Sequence, residues 1–217
     1  MNKTIIFDFD GTLLDSLPDI TFNINKMLKK FGFQALDNQT IRSFIGNGAK
    51  QLVKDCIGQN ISEQLFNQCL NFYNSEYTSS ACAYSKPFDG IYEMLSTLKQ
   101  EGYKLCILTN KPQQTTNPIY EKFFSRFEFD CVIGQRDNIK CKPDKTATLN
   151  ILKKLNTKLE NAFFVGDGET DVITAINAGI KGIAILWGYR NKEQLALAGA
   201  TTFAENPNEL LKIIKNG

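Results

Sequence analysis

The sequence predicts an α/β protein, and two patterns along the chain support this fold class. Short apolar runs typical of strands recur along the 217 residues, and most of them end in polar residues typical of loops. Patterns with the apolar spacing of a helix lie between these runs. Because alternating strands and helices pack as a parallel sheet with helices on both faces, we expect a Rossmann-like parallel-sheet core.

Five apolar runs account for the predicted sheet. Each has the length of a strand, and the runs are too short to be helices on their own. The predicted strands are residues 4–9, 103–108, 129–133, 162–165 and 183–186.

Helices are predicted where apolar residues recur on one face. The first such face begins at Leu17 and continues to Phe31, and Gly32 follows it at a position where helices commonly end. Two further faces are formed by Ile91, Met94, Leu95 and Leu98, and by Leu149, Leu152 and Leu155.

A long insertion separates the first two predicted strands. It contains roughly ninety residues, far more than a crossover connection needs, and it shows helical patterns but no strand pattern. The predicted helices are 17–31, a short one ending near Phe44, 49–57 and 62–79. Asn60, followed three residues later by Glu63, predicts a capping box for the last of them.

The insertion divides the predicted protein into two domains. We expect a catalytic α/β core formed by residues 1–14 and 85–217, and a helical cap formed by residues 15–84. The hinges between them are predicted near residues 15–16 and 84–87.

Composition limits the classes of function. Hydrophobic residues make up 42% of the chain and charged residues 22%, which is the balance of a globular protein, and the net charge is only +2. The basic residues are scattered, so no nucleic-acid partner is expected. The first apolar run is too short for a signal peptide or a membrane span, which predicts a cytoplasmic protein without a membrane partner. We expect a monomer or a homodimer.

The reactive residue types narrow the chemistry further. The chain has no histidine, which excludes Ser-His-Asp triads, phosphohistidine intermediates and zinc sites built on histidine. Its six cysteines include no CxxC pair, and we expect them to be ordinary thiols. Catalysis is therefore left to carboxylates, lysine, Ser/Thr hydroxyls or metal-bound water.

Carboxylates follow two of the predicted strands. Asp8 and Asp10 lie at the end of the first apolar run, and Asp167 and Asp171 follow the fourth. Ligands of open α/β sheets bind beyond the carboxyl ends of the strands, so these four side chains can converge there. Such a cluster requires a hard divalent cation with oxygen ligands, most simply Mg²⁺.

Other polar residues at these ends suit a phosphoryl group. Thr109 and Asn110 follow the second predicted strand, and Lys142 lies in a later loop. A carboxylate that approaches a phosphate dianion to about 4 Å meets roughly 8 kcal/mol of repulsion at an effective dielectric constant of about 20. Mg²⁺ and Lys142 would offset it, so that Asp8 can act as a nucleophile and Asp10 as an acid/base.

Four motifs in this chain resemble those of the haloacid dehalogenase superfamily. The stretch DFDGTLLDS at residues 8–16 matches the first motif, DxDGTLxDS. Thr109-Asn110 matches the second, Lys142-Pro143 the third, and GDGETD at residues 166–171 the fourth, GDxxxD. The motifs occur in order over essentially the whole chain, and a cap inserted after the first motif is also typical of this superfamily.

The resemblance implies a role for each matching residue. It implies that Asp8 is the nucleophile, that Asp10 is the acid/base, and that Thr109 and Lys142 bind the phosphate. It also implies Mg²⁺ held by the Asp8 side chain, the Asp10 carbonyl and Asp167, with Asp171 orienting the water shell of the metal. Dehalogenating members lack the second aspartate, so Asp10 favours phosphate chemistry. Phosphonate-cleaving members use a cap lysine, and no lysine of this cap lies in a recognisable motif.

The stretch IRSFIGNGAK at residues 41–50 resembles the cap loop of phosphoglycolate phosphatases, and it predicts three further substrate contacts. Arg42 would pair with a substrate carboxylate, Gly46 and Gly48 would let backbone approach the ligand, and Gly46 and Asn47 are candidate substrate-binding residues. An exposed Arg42 on a cap helix and a simple connection at Gly46–Gly48 remain as alternatives.

The predicted function is therefore a Mg²⁺-dependent phosphomonoester hydrolase that acts on a small phosphorylated metabolite, with 2-phosphoglycolate as the first candidate. A sugar-phosphate phosphatase, a 5′-nucleotidase and a phosphomutase of the same superfamily are alternatives. A non-catalytic phosphate-sensing module is a further alternative, but such a module would not need the acid/base residue Asp10.

Overall fold

A computed structural model describes residues 3–80 and 82–217, and its centre is a six-stranded parallel sheet. The strand order is β5-β4-β1-β6-β7-β8. The strands of this sheet are β1 (Thr4–Phe7), β4 (Lys104–Pro112), β5 (Cys131–Gln135), β6 (Ala162–Gly166), β7 (Lys181–Ile185) and β8 (Phe203–Ala204). Two further strands, β2 (Leu14–Asp15) and β3 (Lys86–Pro87), form a separate antiparallel ribbon.

Helices cover both faces of the sheet. In strand β1, Ile5 packs with α5 and α10 in one apolar cluster, whereas Ile6 packs with α7 and α8 in another. Successive residues of a strand point to opposite faces, so these two clusters lie on opposite sides of the sheet. The helices outside the insertion are α5 (Ile91–Gln100), α6 (Gln113–Phe123), α7 (Thr146–Lys154), α8 (Glu169–Ala178), α9 (Lys192–Leu197) and α10 (Pro207–Asn216). The predicted α/β class with a parallel sheet is confirmed.

The register of the central strands determines which residues meet at the edge of the sheet. Phe7 at the end of β1 pairs with Ile107 on one side and with Val165 on the other. The residues that follow each of these positions therefore emerge side by side at the carboxyl edge. This register brings the polar residues that follow β1 and β6 into one region with those in the last part of β4.

Four helices fill the insertion between β2 and β3. They are α1 (Leu17–Lys30), α2 (Asn38–Phe44), α3 (Gly48–Ile57) and α4 (Glu63–Ser79), and residues 17–79 are called the helical segment below. No strand occurs among the described residues of this segment. The ribbon β2–β3 pairs the chain entering the segment with the chain leaving it, at the two predicted hinges.

The exit of the helical segment is anchored by a buried carboxylate. Asp19 in α1 is fully buried and accepts hydrogen bonds from the backbone N–H groups of Tyr84 (3.1 Å) and Ser85 (2.6 Å). A buried carboxylate must be compensated by such donors, which fixes the second linker against α1.

Several predicted boundaries differ from the structure. Strand β1 ends at Phe7, two residues earlier than predicted, because the chain turns at Asp10-Gly11 and the 9–14 loop bonds to itself. Strand β4 continues to Pro112 through an irregularity in its pairing with β5. Strands β2, β3 and β8 were not predicted, since two residues are too few to show an alternating pattern.

The predicted cap of the last insertion helix is wrong. Helix α4 begins at Glu63, and its N-cap is Ser62, whose hydroxyl accepts a hydrogen bond from the backbone N–H of Leu65 at 3.2 Å. Ser62 is the residue adjacent to the first helical turn, so its side chain reaches the free N–H group that Asn60 cannot.

None of the helices in the described residues is long and apolar enough to cross a membrane. All six cysteines are free thiols.

Candidate active site

Asp8 lies at the first position beyond β1, at the carboxyl edge of the sheet. Its backbone N–H still donates to the carbonyl of Val165 at 2.9 Å, which continues the pairing with β6 and fixes where the side chain leaves the sheet. Lys142 Nζ lies 2.7 Å from Asp8 Oδ1. Burial raises the pKa of Asp8 to about 8, with a further contribution from the charge of Asp171 and opposed by Lys142.

Asp167 follows β6 and faces Asp8. One carboxylate oxygen accepts a hydrogen bond from the Thr12 hydroxyl at 2.9 Å, and the other accepts one from the Tyr189 backbone N–H at 2.8 Å. Burial and then the charge of Asp171 raise the pKa of Asp167 to about 7, although both hydrogen bonds favour the ionised form. The side chain is therefore oriented by two hydrogen-bond donors, and the charge of Lys142 also favours its ionised form.

Lys142 supplies positive charge to this group of carboxylates. Its side chain is only 2% exposed, and its Nζ lies 2.6 Å from Asp171 Oδ1 as well as close to Asp8. Burial alone would lower the pKa of Lys142, but the charges of Asp171 and Asp8 outweigh burial and raise it. Lys142 is therefore a permanent cation between two carboxylates.

Asn110 fixes the backbone of Lys142. Its side-chain oxygen accepts from the Lys142 N–H at 2.8 Å, and its Nδ2 donates to the Lys142 carbonyl at 3.1 Å. Nδ2 also donates to the carbonyl of Gly46 at 2.9 Å. The sequence predicts Asn110 to bind substrate, whereas in the structure its amide is fully engaged in holding Lys142 and the Gly46 loop.

The carboxylates of Asp8, Asp167 and Asp171 form a group that fits a divalent cation. One oxygen from each lies within 4.8 Å of the others. Asp8 Oδ1 is buried and lies 2.7 Å from Lys142 Nζ, the charged group that faces it. Three carboxylate oxygens gathered in this way are the ligand set that Mg²⁺ prefers.

Asp10 does not point into this group. Both of its carboxylate oxygens lie 3.1 Å from Lys111 Nζ, so its side chain is turned toward strand β4. Thr109 lies in β4 and lines the same cavity as Asp8 and Asp10, and its hydroxyl accepts a hydrogen bond from the backbone N–H of Lys111 at 3.2 Å. The structure therefore brings Asp8, Asp10, Thr109 and Lys142 to one edge of the sheet.

Asp8, Asp10 and Thr109 line one cavity between the sheet and the helical segment, and Lys142 lies behind Asp8, outside the lining. The space that the centre of a water molecule can occupy there is about 50 Å³, which is small. The helical segment contributes mainly apolar and small residues to its wall: Ile20, Ile45, Gly46, Gly48, Ala49, Leu52, Tyr73, Asn74 and Tyr77. Lys111 and Arg190 are the cations that line it within the described part of the chain.

Two of the predicted substrate contacts lie elsewhere. Arg42 is not among the described residues that line the cavity; its Nε and Nη2 donate to the carbonyls of Tyr189 and Gly188, each at 2.8 Å. Asn47 is exposed and does not line the cavity among the described residues, whereas Gly46 does. The assignment of Arg42 to a substrate carboxylate is corrected, because its guanidinium is turned toward the core backbone.

Arg190 makes the reciprocal contact from the core. Its guanidinium donates to three carbonyls at the end of α2 and just beyond it, those of Arg42, Ser43 and Ile45, at 3.1, 3.2 and 2.7 Å. Its Nε contacts Glu169 at 2.9 Å. The two arginines thus hold α2 and the loop after β7 together.

Three residues of the site were not predicted. Lys111, Tyr189 and Arg190 carry no signal of their own, because each looks like an ordinary loop residue in the sequence. Lys111 was detectable only from its place directly after Thr109-Asn110, and Tyr189 and Arg190 only from their place after the strand that lies next to β6.

Comparison with known proteins identifies relatives over nearly the whole chain. Residues 5–185 match the family described as haloacid dehalogenase-like hydrolase. The chain is 31% identical over 214 residues to phosphoglycolate phosphatase 1 of Pseudomonas aeruginosa, with 96% of this chain and 78% of that protein covered. It is also 31% identical over 219 residues to a phosphoglycolate phosphatase of Colwellia psychrerythraea, with 98% and 97% covered.

Solved structures show the same similarity. The crystal structure of a predicted phosphoglycolate phosphatase from Haemophilus somnus superposes with a TM-score of 0.90 at 27% identity, covering 98% of this chain and 97% of the other. A predicted phosphatase from Clostridium acetobutylicum superposes with a TM-score of 0.88 at 29% identity over the full length of both chains. The chain therefore belongs to the haloacid dehalogenase-like hydrolase family and is a phosphatase that resembles phosphoglycolate phosphatases.

Proposed function

We propose that this protein is a Mg²⁺-dependent phosphomonoester hydrolase that uses Asp8 as its nucleophile and acts on 2-phosphoglycolate. The observation that carries the proposal is the position of Asp8. Its carboxylate projects into the cavity, 2.7 Å from a buried lysine and within 4.8 Å of two further carboxylates. A carboxylate that attacks a phosphate needs compensating positive charge, which Lys142 supplies and which a cation bound by the three carboxylates would increase.

The reaction divides into two transfers at Asp8. The Asp8 carboxylate attacks phosphorus, and the bond to the ester oxygen breaks while Asp10 donates a proton to that oxygen. A water molecule then attacks the aspartyl phosphate and gives a proton to Asp10. Inorganic phosphate is released, and Asp8 and Asp10 are back in their initial states. Lys142 and the Thr109 hydroxyl bind phosphate oxygens during both transfers.

Asp8, Asp167 and Asp171 would hold the magnesium ion. When bound, Mg²⁺ would neutralise the carboxylates and lower the repulsion between Asp8 and the phosphoryl group. The raised pKa of Asp8, about 8 in the absence of metal, indicates that the ionised nucleophile needs additional positive charge near it. The sequence-predicted contribution of the Asp10 carbonyl stays part of this proposal.

A small ester is favoured by the mainly apolar and small residues that the helical segment contributes to the cavity wall. The relatives named phosphoglycolate phosphatases support 2-phosphoglycolate, which is among the smallest biological phosphate esters.

The substrate carboxylate would lie at the N-terminus of α3. Gly48 and Ala49, the first residues of this helix, line the cavity, and the N-cap residue Asn47 makes no side-chain hydrogen bond to the helix. Free N–H groups and the positive end of the helix dipole attract an anion there. The backbone of the Gly46–Gly48 loop thus takes the role that the sequence predicts for Arg42.

A panel of phosphate esters tests the proposal. Purified protein is assayed with 2-phosphoglycolate, sugar phosphates, nucleoside monophosphates and p-nitrophenyl phosphate, with Mg²⁺ and with EDTA, and the esters are ranked by kcat/KM. We expect Mg²⁺-dependent release of phosphate, with 2-phosphoglycolate ranked first, and loss of turnover in Asp8→Asn. Turnover of another ester with a higher kcat/KM would replace the substrate, and phosphate binding without any turnover would indicate a sensing module.

A further inference from the structure

Lys111 is a buried cation to which the chemistry proposed above gives no role. It lies in strand β4, and its side chain is only 5% exposed. Its ammonium group lies 3.1 Å from both carboxylate oxygens of Asp10. Because an unpaired charge is costly to bury, this contact ties the position of the Asp10 carboxylate to that of Lys111.

Tyr77 completes the surroundings of the ammonium group. This residue of helix α4 is 2% exposed, and its hydroxyl accepts a hydrogen bond from Lys111 Nζ at 3.1 Å. The ammonium group also lies 4.1 Å from the centre of the Tyr77 ring, within the range of a cation–π contact. Tyr77 thus holds Lys111 through both its hydroxyl and its ring.

The hydrogen-bond count favours a role through Asp10 over a direct contact with substrate. A lysine ammonium group has three N–H donors, and three acceptor atoms surround this one: two oxygens of Asp10 and the Tyr77 hydroxyl. A substrate anion could bind Lys111 only by displacing one of these acceptors. Lys111 is therefore arranged to hold a carboxylate of the protein.

We propose that Lys111 and Tyr77 are positioning residues for Asp10, an inference that rests on the proposed function of Asp10 as the acid/base. Lys111 fixes the carboxylate at the wall of the cavity, and Tyr77 fixes Lys111. Because Tyr77 belongs to the helical segment and Lys111 to the sheet, Asp10 is fully oriented only when Tyr77 of α4 contacts Lys111 of β4.

The dependence on the leaving group tests this role. An alkoxide leaves poorly without a proton from the acid, whereas p-nitrophenolate leaves without help. In Lys111→Met we expect kcat/KM to fall by the same factor for the two alkyl esters, 2-phosphoglycolate and 2-hydroxyethyl phosphate. That factor should be about 10 to 100 times larger than the factor by which kcat/KM falls for p-nitrophenyl phosphate. A loss confined to 2-phosphoglycolate would make Lys111 a carboxylate ligand, and an equal loss on all three esters would make its role structural. Either outcome overturns the proposal.

A double-variant cycle tests the connection to Asp10 directly. If Lys111 acts through Asp10, then Lys111→Met should change kcat/KM for an alkyl ester by less than about twofold once Asp10→Asn is present. Losses that multiply in the double variant would show that Lys111 acts independently of Asp10, and they would overturn the proposal.

Tyr77→Phe removes the hydroxyl but keeps the ring, and it serves if Lys111→Met does not fold. We expect a loss of about three- to tenfold, larger for the alkyl esters and absent in the Asp10→Asn background. No preference for alkyl esters in Tyr77→Phe would overturn the role of Tyr77.

Lys104→Met and Tyr92→Phe are matched controls outside the cavity. Lys104 lies at the other end of β4, where its Nζ donates to the carbonyl of Leu155 at 2.6 Å, and Tyr92 lies in α5 beneath Arg126. We expect both variants to keep the wild-type ratio of alkyl to aryl kcat/KM; a change in that ratio would show that it responds to remote packing and would overturn the argument.

Wild-type protein that hydrolyses no ester would refute the proposed function itself, whereas active wild-type protein with multiplying losses would refute only the positioning role.

Discussion

Gly188 lies so close to Asp167 that a Cβ atom at Gly188 would be 2.2 Å from the Cβ of Asp167. The same added atom would lie 2.5 Å from the backbone oxygen of Gly11. The next residue, Tyr189, donates its backbone N–H to the Asp167 carboxylate at 2.8 Å. The loop after β7 thus reaches a predicted metal ligand only because position 188 has no side chain.

Gly188→Ala should therefore displace Asp167. No real Cβ contact is as short as 2.2 Å, and the clash is with backbone and Cβ atoms that cannot rotate away. We expect kcat/KM to fall by about 100-fold or more, because a shift of a catalytic group by about 1 Å can slow a reaction by this factor. The Mg²⁺ concentration that gives half-maximal activity should also rise, because Asp167 is a predicted ligand of the metal. Steady-state kinetics over a magnesium titration measure both quantities.

Gly182→Ala is the control for general destabilisation. A Cβ there would lie 3.0 Å from the Cβ of Ala175, so it also crowds the core, but away from the carboxylates. This variant should have a lower Tm with normal activity per folded molecule. Normal activity and normal magnesium dependence in Gly188→Ala would contradict the role given to this contact.

The sequence predicts much of the fold because its patterns are local. The apolar run at 4–9 and the glycine after Phe31 are visible within a few residues, and they correspond to β1 and to the end of α1. The pairing of β2 with β3 depends on residues more than seventy positions apart, and each strand has only two residues. Such a contact leaves no periodic pattern, so the sequence alone could not predict it.

The residues of the site also differ in how far the sequence alone could predict their positions. Asp8 and Asp167 directly follow β1 and β6, and Thr109 lies near the end of β4, so the topology of a parallel sheet places these three residues together. Lys142 reaches them from the loop between β5 and α7. Arg42 was assigned from a local loop pattern, but its direction depends on the carbonyls at Gly188 and Tyr189, far away in the sequence. Long flexible side chains take their partners from tertiary packing, which a local pattern does not contain.

Arg42→Ala should weaken catalysis without changing substrate preference. Its guanidinium joins α2 to the loop after β7 by two hydrogen bonds to backbone carbonyls, and Arg42 itself does not line the cavity among the described residues. We expect kcat/KM to fall by about three- to tenfold, equally for 2-phosphoglycolate and for 2-hydroxyethyl phosphate, which lacks the carboxylate. The two kcat/KM values measured on one preparation give the comparison.

Lys29→Ala provides the matched control, because Lys29 is an exposed cation of the same helical segment. Its kcat/KM values should equal those of the wild type. If Arg42→Ala lost activity on 2-phosphoglycolate alone, the guanidinium would be a carboxylate ligand after all, in a conformation different from the one described.

The stability of the metal-free protein should decrease as the pH rises from about 4 to about 8. Burial and neighbouring carboxylates raise the pKa of Asp8 from 3.8 to about 8 and that of Asp167 from 3.8 to about 7. In this range the folded protein keeps protons that the unfolded chain has already released. Because the folded state binds more protons than the unfolded chain, the free energy of unfolding falls as the pH rises. The stability that comes from the protonated carboxyls is lost once both Asp8 and Asp167 ionise.

Thermal unfolding in EDTA and in Mg²⁺, measured at pH 5 and at pH 8, tests this dependence. We expect the Tm in EDTA to be lower at pH 8, and Mg²⁺ to raise the Tm more at pH 8, where binding the ion displaces fewer protons from the carboxylates. In Asp8→Asn the decrease between the two pH values should be smaller, since one of the two titrating carboxyls is absent. A metal-free Tm that stays constant or rises from pH 5 to pH 8 would show that Asp8 and Asp167 are already ionised at pH 5, and that Lys142 alone balances the three carboxylates.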